Sequence, residues 1–436
     1  MTSKRTAHDV VDGGGLYFSR AVSAGPFVFL GGVAADEEGG VAKDARVLPP
    51  YAVSDPAHVV SQTAYIFSGY RQRLEALGSG INEMVQVEQY IPHKLYADGY
   101  IDTSRGEGFM DRGRPSSALL ATGDLMPPGC VINPTGIAVI ADGETKKEIP
   151  GATSGYHESL GRETYGATYA EEGPFNEIVT AGGYVFTVGD IANDWETESI
   201  AEGVRVSDRI WWGNEIRNEA EFLLARLQGW LEKVDSGLEN LVHVSVYVID
   251  IGDLFELDRV WRKAFPENPP ARSVIPVRGL GAPRLEAAGL GHAQDAVKTE
   301  FIAQSIRPGF GLQREVVSSG EEPLLHESEA VRAGNLLWIS GQYAGGVEGL
   351  RSKPHTADQL EFLFGRLDAT CRAGGSSLDR LVRLRAFLSD PAEAPLVYGA
   401  LKQAIPSAPP TVMVTGVPGP FPIPGATVML DGVAEV

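Results

Sequence analysis

Cysteine is nearly missing from this chain. Cys130 and Cys371 lie in different segments and form no CxxC pair, which argues for a reducing compartment and against a disulfide framework. Positive charge is also short. Lys and Arg total 37 against 57 Asp and Glu, a net charge of −20 at pH 7. That balance disfavours nucleic acid and anionic membranes as general partners. No apolar stretch approaches the length that spans a bilayer. The first residues, MTSKRTAHDVVDGGG, have two basic side chains but no apolar run behind them, unlike a signal peptide. A cytoplasmic, soluble protein is expected. The histidines show no HxxxH or HxH spacing, so no zinc site is expected. GxSxG, P-loop and dinucleotide fingerprints are missing, and GLGAPRLEAAGLG from Gly279 lacks a strand–helix setting. No cofactor is expected.

What is present is 43% hydrophobic residues, with 52 Gly and 28 Pro spread between periodic segments. This describes a loop-rich globular chain, long enough for two to four domains. One pattern recurs three times. It reads AVSAGPFVFLGGVA from Ala21, IVTAGGYVFTVGDIA from Ile178 and AVRAGNLLWISGQYA from Ala330. Each copy predicts a strand approached through a tight glycine turn. A helix with an apolar stripe follows each one and ends at a glycine. Next come a second strand (MVQVEQYI, LVHVSVYVI, LVRLRAFL), a shorter helix, a proline-marked strand and a closing strand. Phe29 to Phe186 and Val85 to Val242 are both 157 residues, so the first two copies stay in register. The expected fold class is α+β: three tandem units, each a mixed sheet with two helices on one face. The units are read as 15–142, 171–304 and 324–436. Residues 143–170 and 305–323 are read as linkers.

The stretches AVRAGNLLWISGQYA, GGSSLDRLVRLRAFLSD and FPENPPARSVIPV resemble the Rid (YjgF-like) family. The resemblance implies a chorismate-mutase-like domain, usually a homotrimer with ligand clefts between subunits. Three fused copies would then form a single-chain pseudo-trimer whose clefts can differ. It also implies hydrolysis of amino-acid-derived enamines and imines to a 2-keto acid and ammonia. The family's carboxylate-gripping arginine falls on Arg272 in PPARS, with Ser117 in the first copy and Pro410 in the third. An arginine grips a carboxylate with two prongs, a geometry lysine lacks. The family's Ser-Gly-Gln turn falls on Ser340, Gly341 and Gln342, with Gly31 and Val188 at the serine position elsewhere. Its cleft aromatic falls on Phe18 and Phe175, with Glu327 in the third copy. Its last-strand acid falls on Asn133, Lys298 and Met429, and Glu300 lies two residues beyond Lys298 on the same side of the strand.

The candidate catalytic residues are therefore Arg272, Ser340 and Glu300. Substrate contacts are expected from Arg272, Ser340, Gly341 and Gln342. Phe175 would supply an apolar wall, and Lys298 a second anion ligand or a partner for Glu300. Asn133 and Ser117 would make a polar, uncharged cleft in the first copy. The leading expectation is a cofactor-independent hydrolase or deaminase of a small carboxylate-bearing enamine or imine, with water attacking the C=N carbon. Two alternatives stay open: a non-catalytic binding or regulatory protein, and a ring-opening or lyase-type hydrolase on the same scaffold. Ribonuclease action, also attached to the family, is disfavoured by the net charge. Whether the pseudo-trimer dimerises is left open.

Overall fold

The computed structural model describes residues 5–36, 38–106, 114–141, 145–150, 176–194, 199–206, 213–281 and 297–436. Among them, three sheets repeat one strand order. The first contains β1 (Thr6–Gly13), β2 (Leu16–Ala24), β3 (Phe27–Gly31), β4 (Met84–Ile91), β5 (Ser116–Ala121) and β6 (Asn133–Val139), in the order β1-β2-β3-β6-β4-β5. Its helices are α1 (Asp55–Ala76) and α2 (Ala97–Gly106). The second contains β7 (Lys147–Glu148), β8 (Ile178–Ala181), β9 (Tyr184–Thr187), β10 (Asp190–Ile191), β11 (Leu241–Val248), β12 (Ala271–Pro276) and β13 (Thr299–Ile306). Its order is β7-β8-β9-β13-β11-β12, with β10 also on β13, and its helices are α3 (Glu215–Glu232) and α4 (Leu254–Ala264). The third contains β14 (Arg314–Val317), β15 (Ala330–Ala333), β16 (Leu336–Tyr343), β17 (Leu381–Leu388), β18 (Thr411–Gly416) and β19 (Val428–Glu435). Its order is β14-β15-β16-β19-β17-β18, and its helices are α5 (Thr356–Ala373) and α6 (Ala394–Ala404). One pair in each sheet is parallel, β4/β5, β11/β12 and β17/β18. The sheets are mixed and the class is α+β, as the element order predicts.

Local chemistry explains the repetition. The glycine of each Ala-Gly motif takes a left-handed backbone, with φ of 56° at Gly25, 56° at Gly182 and 55° at Gly334. That conformation suits the tight hairpin into the following strand. The long helices close alike: the N–H groups of Ser79, Ser236 and Ser376 donate back to the carbonyls of Leu74, Leu231 and Cys371, the geometry of a Schellman cap. The left-handed residue there is Gly78, Asp235 or Gly375. The second helix therefore does not end on a glycine as its KVDSG sequence suggests.

Strand alternation sorts the side chains. Val28 and Leu30 pack with Ile66, Phe67 and Tyr70 of α1, while Phe27 and Phe29 join a second cluster. That second cluster also holds Tyr184 and Phe186 from the second sheet and Leu336 and Trp338 from the third. The face of each sheet away from its helices is thus covered by the other sheets.

Three segments differ from the sequence reading. Residues 305–323 are not only a linker, because Arg314–Val317 pairs with Ala330–Ala333. Thr6–Gly13 and Lys147–Glu148 likewise pair with the strands that follow them. These edge strands are mostly polar and largely exposed, so they lack the apolar alternation that marks a strand in a sequence. Most of the expected 143–170 linker lies outside the described residues.

Candidate functional site: three unequal seams

Strand register defines equivalent positions. Tyr90 pairs with Asn133, Tyr247 with Glu300 and Phe387 with Met429. The last-strand position is thus Asn133, Glu300 and Met429, and the assignment to Lys298 is two residues out. Lys298 sits just outside β13, where its Nζ pairs with Asp253 at 2.9 Å. It holds that local acid instead of facing Glu300. The hydrogen bond to Asp253 raises the Lys298 pKa, burial opposes this, and the Asp253 charge adds to the rise. Along the parallel pairs, Val87 faces Ser117, Val244 faces Arg272 and Leu384 faces Val412. The third counterpart of Arg272 is therefore Val412 and not Pro410.

Each sheet meets the next at a seam closed by the same backbone bond. The N–H of Asn176 donates to Pro115 O at 3.3 Å, that of Ser328 to Pro270 O at 3.2 Å, and that of Ser19 to Pro410 O at 2.9 Å. The first seam joins sheets one and two, the second joins two and three, and the third joins three and one.

The second seam holds Arg272, whose side chain is 0% exposed. Its guanidinium lies over the Trp261 ring at 4.6 Å. Nη2 donates to Asp258 Oδ1 at 2.7 Å and to Glu327 Oε2 at 3.3 Å. Nε and Nη1 are buried with no partner among the described residues. Glu327 crosses from the third sheet. Burial pushes its carboxyl up and Arg272 pulls it back, leaving it above the ordinary range. Asp258 is half-buried, and burial there is outweighed by Arg272 and Arg262, which hold it below its usual value. Ser340 is in the seam as expected, but its hydroxyl is engaged. It accepts from the Arg272 backbone N–H at 2.8 Å and donates to Ser328 O at 2.6 Å. Its role here is to fix the Arg272 strand. Gly341 leaves no room for a side chain, since a Cβ would lie 2.7 Å from Met429 Sδ. Gln342 turns to α5, donating to Thr370 Oγ1 at 2.9 Å. The cavity at this seam has a volume of about 10 Å³ and is lined by Glu327, Glu329, Ser340, Tyr343 and Arg366 among others. Phe175 lies outside the described residues.

Glu300 is not in this seam. It belongs to the first, where the Gly189 N–H donates to Ser117 O at 3.0 Å. A Cβ on Gly189 would overlap Glu300 Oε1 and meet Ala118 of the first sheet. Glu300 Oε2 accepts from the Gly281 N–H at 3.1 Å. Burial raises the Glu300 carboxyl to about 8, against the pull of that N–H, and Asp190 and Glu88 add to the rise. Burial also raises Asp190 to about 7 despite its bond to Arg226. Burial thus favours the neutral form of both carboxyls. Ser117 exchanges hydrogen bonds with Gln89 at 3.0–3.2 Å.

The grouping of Arg272 with Glu300 is thus corrected. Asn133 lies next to Pro134, against which a Cβ on Gly32 of the same sheet would clash. Its amide N and O are buried without partners among the described residues. Asp190, Asp258 and Trp261 were missed by sequence reasoning. Trp261 lies within the apolar stripe of α4, so nothing in its spacing separates it from core.

The chain thus carries a different residue at the same strand position of each sheet, Ser117, Arg272 and Val412. Comparison with known proteins places it further. Residues 166–287 match the family model described as Endoribonuclease L-PSP. A RutC family protein of Synechocystis sp. is 31% identical over 113 residues, 26% of this chain and 78% of that protein. A RutC family protein of Pyrococcus abyssi is 27% identical over 108 residues, 25% of this chain and 76% of the relative. The crystal structure of a YjgF/YER057c/UK114 family member from Mycobacterium tuberculosis shares 26% identity, covering 28% of this chain and 100% of that one with a TM-score of 0.25. The chain belongs to the Rid family, which takes in these YjgF, RutC and L-PSP proteins.

Among the described residues no helix is long and apolar enough to cross a membrane.

Proposed function

We propose that the chain is three Rid domains in tandem, near 15–142, 171–304 and 324–436, folded as a single-chain counterpart of a trimer. We further propose that it is a cofactor-independent hydrolase of a small carboxylate-bearing imine or enamine, working at the second seam. The observation that carries this reading is Arg272: a fully buried guanidinium with Nε and Nη1 unpartnered among the described residues and Nη2 held by two acids. Leaving buried charged donors unsatisfied is costly, and a substrate carboxylate removes that cost. It would take Nη1 and Nη2 together, displacing Glu327 from Nη2.

The displaced Glu327 is then the carboxyl closest to the reacting centre. It would take a proton from the attacking water as the oxygen adds to the C=N carbon and pass it to nitrogen, then take the proton of the carbinolamine hydroxyl and pass it to nitrogen as the C=O bond forms and the C–N bond breaks. The products are a 2-keto acid and ammonia. Its raised pKa suits both roles. Glu329 is less available, because its carboxylate already accepts from Ser319 and Thr370.

The test is release of keto acid from 2-aminoacrylate generated in situ by a lyase, measured above the spontaneous rate. Arg272→Lys keeps the charge and loses the fork, and is expected to lower kcat/KM by at least about 100-fold, the equivalent of about 2.7 kcal/mol. No acceleration by the wild-type protein, or full activity in the variant, would overturn the reading. Met429, standing where a last-strand carboxyl is expected, favours one second reading: a binding module without turnover. Thermal stabilisation by small carboxylates with no keto acid formed would establish it.

A further inference from the structure

The three long helices differ at one position that decides how much space lies behind each seam. Counting ten residues back from Ser79, Ser236 and Ser376, whose cap bonds are equivalent, gives Gly69, Arg226 and Arg366. The two arginines do the same work. Arg226 donates to the carbonyls of Ile191 and Asn193, and Arg366 to those of Tyr343 and Gly345. Each ties its helix to the strand end leaving the seam and fills the space between. In the first sheet that tie comes from a strand instead. Arg20 of β2 donates Nη1 to Val33 O at 3.1 Å and Nη2 to Ala35 O at 2.5 Å.

The substitution leaves room. A cavity of about 340 Å³ lies over Gly69, lined by Arg20, Gly31, Tyr65, Ser68, Gln72 and Arg73 among others. The cavity lined by Arg366 at the second seam measures about 10 Å³. Every lining residue of the larger one comes from the first sheet and its α1 side. It opens beside Gly31 and Gly32, over the helix position that an arginine occupies in the other two units. Its size falls in the range of small-molecule sites.

Two guanidinium groups face it. Arg73 reaches back over Gly69, its Nη1 lying where a Cβ would sit, and its Nε pairs with Asp9 at 2.6 Å. Arg20 lies across the Phe18 ring at 5.7 Å. Asp44, exposed at the mouth, is the only acid in the lining. Ser68 and Gln72 add hydrogen-bonding groups, and Tyr65 and Ile66 an apolar wall.

We infer that this cavity, opened where Gly69 replaces a helix arginine, is a second small-molecule site that takes a small oxyanion, a carboxylate or a phosphate ester, between Arg20 and Arg73. Paired guanidiniums match the planar or tetrahedral oxygens of such groups, and the apolar wall accommodates a short carbon skeleton.

The experiment is titration calorimetry of the full chain with inorganic phosphate, glycerol phosphate and malonate. At least one of the three is expected to bind saturably, with a dissociation constant of about 1 mM or tighter. Phosphate and glycerol phosphate against malonate distinguish the two oxyanion types. Gly69→Arg restores the side chain that the other helices carry, raises helix propensity and is expected to abolish binding. Arg73→Gln, at a partly exposed site, is expected to weaken binding at least tenfold while leaving the melting temperature near wild type. Arg272→Lys is expected to bind like wild type, so this site and the second seam fail or succeed separately. No saturable binding of any of the three, or Gly69→Arg binding as tightly as wild type, would overturn the inference.

Discussion

Arg272 and Glu300 are both fully buried and both ionisable, yet their strand positions were not equally legible. PPARS is a short, local signature, and the parallel register sets Arg272 opposite Val244. The last-strand acid was harder. Lys298 and Glu300 are two residues apart and so share a strand face, and no side-chain pattern tells a shift of two from no shift. The pairing of Tyr247 with Glu300 decides it. Glu300 also carries a measurable consequence. Burial raises its carboxyl to about 8 in the folded protein, against about 4.3 for an unperturbed glutamate. Its contribution to stability is complete below the unfolded value and is lost as pH rises through the folded one. Melting temperature is expected to fall between pH 5 and pH 8.5. In Glu300→Gln that fall is expected to be smaller, since glutamine stays neutral and can still accept from Gly281. Calorimetric melts across this range check it. An unchanged pH slope would show that Glu300 does not hold its proton.

Elements repeat down to single hydrogen bonds. Gln62 of α1 accepts from the Val131 N–H, Glu219 of α3 from those of Lys298 and Thr299, and Gln359 of α5 from that of Thr427. Each anchors the start of the closing strand to the long helix at the same point. The apolar stripe of each helix was legible at 3.6-residue spacing. These anchors were not, because a buried polar residue in the stripe reads as noise until its partner is known. Gln359 also donates to the carbonyls of Gly425 and Pro354. Gln359→Ala leaves these groups unsatisfied and is expected to cost about 1–3 kcal/mol, read from urea unfolding midpoints. A change below about 0.5 kcal/mol, the usual size for a surface site, would mean that water replaces the anchor. The polar edge strands β1, β7 and β14 escaped sequence reading for a different reason. Their pairing partner, not their composition, makes them strands.

The whole molecule is asymmetric at its centre. Arg385 of the third sheet bonds Glu88 of the first at 2.5 Å and Asp431 of its own sheet at 2.6 Å, with all three side chains no more than 2% exposed. Ser245 and the Tyr247 hydroxyl of the second sheet complete the network. For Glu88, burial pushes the carboxyl up, but Arg385, Arg383 and the two tyrosine hydroxyls hold it below its ordinary value. Glu88, Ser245 and Arg385 occupy equivalent strand positions, since each lies two residues before Tyr90, Tyr247 and Phe387. Three copies of the first or third sheet would bring like charges together here, so the charges specify a mixed arrangement. Arg385→Leu strands two buried carboxylates and is expected to cost about 3–5 kcal/mol, measured by chemical denaturation. A loss under about 1 kcal/mol would mean that the carboxyls simply take up protons.

By itself the sequence determined the repeated elements and their order. Turn glycines, strand alternation and helix stripes are short-range features that each copy carries independently. It also located Arg272 and showed that the copies are unequal. Only the tertiary structure decided which residues share a seam. In each unit the strand bearing the Arg272 position faces the next sheet, while the strand bearing the Glu300 position faces the previous one. Residues that one copy carries together are therefore delivered to different seams. Arg272 meets Glu327 across the second seam, and Glu300 lies at the first, where Gly189 bonds Ser117.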